Sequence, residues 1–500
     1  MRVTVTRAAA ALSIGLVMAS QAAAQNNSQN APQCDPTANT KGDIARAQFS
    51  MTRAISAMDK STPTRDLQDV LRLVDNGTDN PTARAYLRGE AYIIYLMQPN
   101  AQAVVQRSAL GLTSNPTGTV DLFAGADSAF TIVETAAPEC ATVVAQWRQQ
   151  KPWLNTLNAA INALNANQLD SAELLAKRSL LLDRKAPYAY SVLGSIAKSR
   201  QNWSAANDYW QQALKAAGTD TTYADVRTKT MYEIAAAATD RADAANGAAK
   251  RTAAKEAIKA WQDYIVAANN DLLLADAIDQ ASHAYYAAGD STSMPTLYAP
   301  FLASPSKYGE LSLVHAGVIA TRSGRPEDAE KLFEAALAQN PYSRDAINNL
   351  AATYIQNKQY SKAFPLIDKL MTMDPSNPDN PLLYAFAYQG LYKGTKDKKL
   401  QKMYTDSLVY FNNKSENAPV KVQVLEFSRR ADGTVLSGKI ENRSTTAKTY
   451  TFSVDLLDKS GTVVDTQTAT VGPVAPKSTG SFKINSTKGG VYGYRYKPLT

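Results

Sequence analysis

The pattern of apolar and polar positions changes its period near Pro419. Before that residue, apolar side chains recur every three or four positions, as Ile44, Ala47 and Met51 do, and this spacing predicts amphipathic helices. After it, apolar and polar residues alternate, as they do from residue 420 to 424, and this spacing predicts strands with one buried face. The chain is therefore predicted to be mainly α, with a helical array followed by a small antiparallel β-sandwich.

The helical part repeats itself with a period of 34 residues. In one copy, Gly317 is followed by Ala329, Phe333, Ala336 and Pro341 at intervals of 12, 4, 3 and 5 residues. Small residues let two helices approach closely, large residues fill the space to the next repeat, and Pro or Gly ends the second helix. Four copies share this spacing, and their first small residues are Ala160, Gly194, Gly317 and Ala351.

This pattern resembles the tetratricopeptide repeat family, whose period is also 34 residues. The resemblance implies an α-α solenoid over residues 153–416, in which the first helix of each repeat lines a concave groove. The interval from Ala206 to Ala329, which separates the copy of Gly194 from that of Gly317, is too long for two repeats of 34 residues, and it predicts two longer repeats there. Residues 43–152 are predicted to be helical as well, and degenerate repeats are one hypothesis for them.

The N-terminus predicts export. Arg2 and Arg7 precede a short apolar run, and the small residues 22–24 follow it, which is the order found in a secretory signal peptide. Residues 1–24 are therefore predicted to be a signal peptide, and residues 25–42 a flexible leader. The alternative is the amphipathic start of a cytosolic protein. Because no later apolar stretch reaches about 18 residues, the sequence predicts no transmembrane segment, and the expected location is the periplasm or the cell surface.

Export also bears on the two cysteines of the chain, Cys34 and Cys140. An even number of cysteines outside the cytoplasm predicts one disulfide, and the alternative is two unpaired buried thiols. The disulfide would close a loop of about 100 residues, and the chain-entropy estimate for such a loop is roughly 4–5 kcal/mol.

The alternating pattern after the change of period predicts six strands. Their expected positions are about 420–427, 434–441, 449–457, 462–468, 480–484 and 491–496. The runs 438–442 and 454–458, together with Gly461, Pro476 and Phe482, resemble the FxLyD-type domain of bacterial envelope proteins. That resemblance implies a location in the envelope rather than an activity.

The formal net charge of +8 is concentrated in residues 418–500. This segment has 12 basic and 6 acidic residues, whereas residues 25–417 have as many acidic as basic residues. A concentrated positive charge predicts attraction to an anionic envelope polymer or lipid surface, and the alternative is that the charge serves only solubility. The candidate contacts are Lys421, Arg429, Arg430, Lys439, Arg443, Arg495 and Lys497.

Three tyrosines, Tyr492, Tyr494 and Tyr496, alternate on the last predicted strand. One interpretation is that they pack the core of the sandwich. The other is an exposed strip that stacks on sugar rings. Nucleic acid also prefers aromatic and basic faces, but it is not an expected partner of an exported protein.

Motifs for catalysis or cofactor binding are weak. Residues 433–439 match the glycine and lysine positions of a phosphate-binding loop, but Ile440 stands where a magnesium-binding Ser or Thr is required. His283 and His315 are far apart in sequence and too few to make a zinc site. The sequence therefore predicts no catalytic residue, cofactor or metal. An enzyme acting on envelope material stays a third hypothesis, because distant carboxylates can converge in a fold.

The leading hypothesis is a non-catalytic protein–protein interaction scaffold of the bacterial cell envelope, which binds envelope proteins or peptides in its groove. The second is an envelope glycan or anionic-polymer binding protein that acts through the basic β domain. Some tetratricopeptide domains grip a peptide C-terminus with Lys and Asn at repeated groove positions. The corresponding positions here are Val314 and Val318 in one repeat and Asn348 and Ala352 in the next, so the clamp is incomplete and a carboxylate-terminal ligand is not expected. The repeat spacing predicts exposed groove positions at Tyr188, Ser191, Lys198, Arg322, Asn348 and Gln356.

Overall fold

The computed structural model describes residues 34–58, 63–268 and 271–499. The predicted signal peptide, residues 1–24, lies outside the described residues, and so do residues 25–33 of the predicted leader. The chain divides into two compact units, one ending at residue 237 and the other beginning at residue 238.

The first unit is almost entirely helical. Two short strands, β1 (Val104–Gln106) and β2 (Thr119–Asp121), pair antiparallel within it. Its helices are α1 (Gly42–Ala57), α2 (Thr64–Asp75), α3 (Pro81–Met97), α4 (Leu122–Ala136), α5 (Ala141–Arg148), α6 (Lys151–Asn165), α7 (Leu169–Leu182), α8 (Tyr188–Ser199), α9 (Trp203–Ala217) and the first part of α10 (Ala224–Ala244).

Several helices of this unit bury one apolar stripe, whereas α3 is buried on nearly every side. In α2, for example, the buried residues are Leu67, Val70, Leu71 and Val74, at the three- and four-residue spacing that places them on one face. Successive helices pack as hairpins, α1 with α2, α3 with α4, α6 with α7 and α8 with α9. The alternation of paired helices is therefore present from the start of the described chain.

A disulfide joins Cys34 to Cys140, as predicted, with the two Cα atoms 5.1 Å apart. It ties the segment before α1 to the residues that precede α5. The carboxylate of Asp35 accepts a hydrogen bond from the backbone N–H of Thr37 at 2.8 Å, so the end of the predicted leader forms a defined turn next to the disulfide. Cys140 is buried in the core of the N-terminal helices.

The second unit contains the rest of the helical repeats. Its helices are the end of α10, α11 (Gly247–Ala267), α12 (Asp271–Ala288), α13 (Pro295–Ala303), α14 (Glu310–Arg322), α15 (Pro326–Gln339), α16 (Arg344–Gln356), α17 (Tyr360–Met373), α18 (Asp379–Gly394) and α19 (Lys398–Glu416). From α14 onward they form three successive helix hairpins. Within the part of the chain that the structure describes, no helix is long and apolar enough to cross a membrane.

The interval that was predicted to hold two longer repeats contains α10, α11, α12 and α13. Helices α10 and α11 have 21 residues each, whereas α13 has nine. Because α11 packs against α12, and α12 packs in turn against α14, this stretch departs from the regular pairing of its neighbours.

The repeat spacing places a small residue of each first helix against a large residue of the second. A Cβ atom added at Gly317 of α14 would lie 2.5 Å from the ring of Phe333 in α15. Gly194 of α8 has the same relation to Trp210 of α9. In both hairpins the glycine lets the ring of the partner helix lie against its backbone, which confirms the register predicted from the sequence.

The C-terminal residues form a small antiparallel β-sandwich, and all six predicted strands are present. They are β3 (Val420–Arg430), β4 (Gly433–Asn442), β5 (Lys448–Leu457), β6 (Val463–Val474), β7 (Thr479–Ser486) and β8 (Gly493–Tyr496). One sheet has the order β3-β4-β7 and the other β6-β5-β8. The two sheets share an apolar core, in which the rings of Phe452 and Phe482 lie 4.6 Å apart.

Candidate functional site

A cavity of about 720 Å³ lies in the second unit, and we call it the cleft. One wall is formed by the first helices of three successive hairpins, α14, α16 and α18, and the other wall by strand β3. Leu311, Val318 and Phe386 give the helical wall apolar surface. The groove expected from the repeat pattern is therefore bounded on one side by the β domain of the same chain.

An ion pair holds β3 at one end of the cleft. Nη2 of Arg429 lies 2.5 Å from Oε2 of Glu310, which is the first residue of α14. The side-chain amide of Asn340 donates to the same carboxylate at 3.2 Å and to the main-chain oxygen of Tyr492 at 2.9 Å. Because Glu310 is buried, these donors stabilise its charge in place of water. They also fix the strand and the residue before β8 to the helices.

The loop between α17 and α18 holds β3 at the opposite end. The backbone N–H of Val422 donates to the main-chain oxygen of Ser376 at 3.0 Å, and the backbone N–H of Leu499 donates to the hydroxyl of Ser376 at 2.8 Å. Nζ of Lys421 lies 3.1 Å from the carboxylate of Asp379. The two ends of β3 are therefore attached to different helix hairpins.

Tyrosines of β8 pack between the β domain and the helices. Tyr496 donates its hydroxyl hydrogen to Asp374, and Nη2 of Arg344 lies 3.1 Å from that carboxylate. Burial, reinforced by the charge of Asp374, raises the pKa of Tyr496 well above its ordinary value, so the phenol stays protonated and remains a donor. Burial also raises the pKa of Tyr494.

The predicted alternation of tyrosines therefore packs a core. Tyr494 and Tyr496 are buried, which confirms the packing interpretation and shows that the exposed strip was wrong. Tyr492 precedes the strand and is half-buried. The sequence could not distinguish the two because an alternating pattern does not say which face of a strand is covered.

Three of the predicted groove residues surround this part of the repeats. Arg322 and Asn348 line the cleft. Arg322 also lines a second cavity of about 300 Å³, together with Gln356. The side chains of Arg322 and Gln356 are exposed, and that of Asn348 is half-buried.

The other three predicted groove residues are not exposed. In the first unit, Nζ of Lys198 lies 3.0 Å from Glu233, and the hydroxyl of Ser191 accepts a hydrogen bond from Thr230 at 3.3 Å. The third residue, Tyr188, is half-buried with its ring against Trp153 and Tyr223. These three positions are less open than the repeat spacing predicts, because α10 covers Ser191 and Lys198, and Trp153 and Tyr223 cover Tyr188.

Most of the predicted anionic-surface residues also have protein partners. Lys421 and Arg429 face the helices, as described above, so the expectation that they form part of a free basic surface was wrong. Arg495 lies 3.2 Å from Asp455, and Arg443 donates to the main-chain oxygen of Ser415 at 3.1 Å. The remaining three are exposed side chains, which we call the outer cations: Arg430, Lys439 and Lys497.

Among the described residues, one group of potential metal ligands comes together, formed by Cys34, Glu139 and Cys140. Both sulfur atoms belong to the disulfide. Metals bind the thiolate form of cysteine, so this group is not a metal site while the disulfide is intact.

Four residues that position the cleft were not predicted from the sequence. They are Glu310, Asn340, Asp374 and Ser376, each of which bonds to the β domain. Polar residues at helix ends are common, so their type alone does not indicate this role. Their one sequence property in common is a position at the start or end of a repeat helix or in the loop after it.

The sequence of residues 320–379 matches the tetratricopeptide repeat family. This segment runs from the end of α14 to the start of α18 and so includes much of the helical wall of the cleft. No functionally curated protein matches the chain.

Several solved structures have partial likeness to the chain. YrrB, described as a TPR protein with an unusual peptide-binding site, is 18% identical over 44% of this chain and 97% of its own, with a TM-score of 0.24. PilF of Pseudomonas aeruginosa is 12% identical over 52% of this chain and 88% of its own, with a TM-score of 0.24. A tetratricopeptide repeat protein of Parabacteroides merdae is 13% identical over 53% and 93%, with a TM-score of 0.26. The family match therefore shows tetratricopeptide repeat sequence at residues 320–379.

Proposed function

We propose that this protein is a non-catalytic scaffold of the bacterial cell envelope that binds other envelope proteins or peptides in the cleft. The observation that carries the proposal is the cleft itself, a cavity of about 720 Å³ formed by the first helices of the repeats. Tetratricopeptide repeat proteins mediate protein and peptide binding. The apolar residues of the helical wall supply contact area, and the polar residues between them supply orientation.

Two further features support a location in the envelope. The N-terminal residues have the order of a secretory signal peptide, and a disulfide joins the two cysteines, as is common in oxidising compartments. The resemblance of the β domain to the FxLyD type agrees with that location. We propose that the mature protein lies in the periplasm or at the cell surface.

Affinity capture from an envelope extract tests the scaffold function. Val318 lines both cavities, so Val318→Arg would place a long charged side chain in the cleft, and we expect it to remove the captured partner. Val266→Arg is the matched control, because Val266 is 81% exposed on α11 and lines neither cavity. Equal capture by the wild type and both variants would contradict binding in the cleft.

The outer cations support a second candidate function, the binding of an envelope glycan or anionic polymer. They are fewer than the seven basic residues expected from the sequence, because the other four have protein partners. Attraction among exposed charges weakens as salt shortens the Debye length from about 10 Å at 0.1 M to about 3 Å at 1 M. Binding through the outer cations would therefore be lost at high salt, whereas binding in the partly apolar cleft would persist.

A further inference from the structure

The cleft lies along the open edge of strand β3. Residues 421–427 are consecutive, and all seven line it. Neighbouring side chains of a strand point to opposite faces, so a cavity that contacts every residue in succession must lie beside the strand rather than above one face. In its sheet β3 pairs with β4 alone, which leaves the other edge toward the cleft.

This edge has unpaired length. Among the described residues, one backbone hydrogen bond joins β3 to the helices, from Val422 to Ser376. The ion pair of Arg429 closes the other end. Residues 423–427 lie between these contacts, and at about 3.3 Å per residue they span roughly 16 Å. Such an edge presents a row of backbone donors and acceptors that another strand can pair with.

The side chains around this edge suit an extended peptide. Leu425, which lies at a bulge in the register with β4, is 48% exposed, and Phe386 on the opposite wall is 52% exposed. Bulges of this kind re-aim a side chain locally, and here the result is an apolar contact within the cleft. Arg322 lines the cleft and forms no ion pair within the part of the chain that the structure describes, so it is complementary to an acidic group.

We propose that the cleft binds an extended peptide segment of a partner protein, which adds as a strand to the open edge of β3 at residues 423–427. The segment carries apolar side chains toward Leu425 and Phe386 and an acidic residue toward Arg322. Main-chain hydrogen bonds supply the common part of the recognition, and the side-chain contacts supply its selectivity. This inference rests on the proposed function, since it names the class of ligand that the same cleft binds.

Random ten-residue peptides displayed on phage provide the probe, and the purified full chain is the bait. The best-enriched peptide is synthesised in three forms: unmodified, and N-methylated at one or the other set of alternate residues. Only one set of amides faces β3 in a paired strand. We therefore expect one methylated form to raise Kd about tenfold or more and the other to bind like the unmodified peptide. Equal effects of the two methylation patterns, or failure to enrich any peptide, would overturn strand pairing.

The affinities of two protein variants test whether the peptide binds at this edge. Leu425→Asp should weaken binding about tenfold, because it puts a charge in the apolar part of the cleft. Val463→Asp is the matched control, since Val463 is 38% exposed on β6 and does not line the cleft. Equal affinities of these two variants would overturn the proposal.

The two proposals fail differently. Suppose that Val318→Arg abolishes capture from the envelope extract while the two methylated peptides bind alike. The cleft is then the interaction site, but it does not recognise its partner as a strand. If neither capture nor peptide binding responds to any cleft variant, the proposed function itself is wrong.

Discussion

The attachment of the β domain to the repeats should depend strongly on the ion pair between Arg429 and Glu310. The exposed fractions of these two side chains are 20% and 9%, so solvent screens the pair only weakly. Among the described residues, Arg429→Met would leave this buried carboxylate with the amide of Asn340 as its remaining side-chain donor. Breaking a fully buried pair costs about 3–5 kcal/mol, and because Arg429 is partly exposed we expect about 2–3 kcal/mol.

Hydrogen exchange of the Val422 amide measures this loss. That N–H bonds to the main chain of Ser376, so it exchanges when the β domain opens from the helices. A loss of about 2–3 kcal/mol corresponds to exchange about 30- to 150-fold faster. Amides that bond within the sheet of β5 should change little, because opening leaves that sheet intact.

Arg495→Met is the matched control for this measurement. Arg495 lies 3.2 Å from Asp455, but their side chains are 44% and 33% exposed. Exposed pairs contribute about 0–1 kcal/mol, so the Val422 amide should accelerate by less than about fivefold. Similar exchange rates in the two variants would refute the reasoning, since burial of the ion pair would then have no effect on attachment of the domain.

Three other residue sites and the outer cations give shorter tests. Gly317→Ala places a Cβ atom 2.5 Å from a buried ring, and we expect overpacking of about 1–3 kcal/mol to exceed the gain in helix propensity of about 1 kcal/mol. Gly394→Ala, with nothing within 4 Å, should be neutral or stabilising, and urea midpoints compare the two variants. Mass spectrometry of unreduced mature protein should show the Cys34–Cys140 crosslink, and its reduction should lower stability by roughly 4–5 kcal/mol; two free thiols in periplasmic material would contradict this. Burial raises the pKa of Glu90 to about 7, so its contribution to stability is present below about pH 4.5 and is lost as pH rises through 7. The difference in unfolding free energy between Glu90→Gln and the wild type should therefore favour the variant by on the order of 3 kcal/mol more at pH 8 than at pH 4.5. If the difference between their urea midpoints is the same at both pH values, the pKa shift is contradicted. Reversing the outer cations to Glu should release the full chain from sedimented anionic envelope fragments at low salt, unless the positive charge serves only solubility.

The sequence by itself determined the elements and the register of the repeats. Apolar spacing depends on local geometry, with 3.6 residues per turn of a helix and two per repeat of a strand. It therefore indicated the helical region and the six strands of the sandwich, but not the short strands β1 and β2. The repeat spacing likewise identified Gly317 as a point of close helix approach, whereas the contact of its backbone with the ring of Phe333 in the same hairpin was seen only in the structure. The pairing of Cys34 with Cys140 followed from their even number together with the predicted export.

Only the tertiary structure decided which of these surfaces are open. Lys198 meets Glu233 because α10 packs beside α8, and Arg429 meets Glu310 because the β domain folds back onto α14. Each of these pairs joins residues far apart in sequence, Arg429 and Glu310 by 119 positions. A charged residue on an amphipathic pattern has the same local signature whether it faces water or another element. Local periodicity therefore predicted the helices and the strand that form the walls of the cleft, whereas long-range packing determined that these walls face each other.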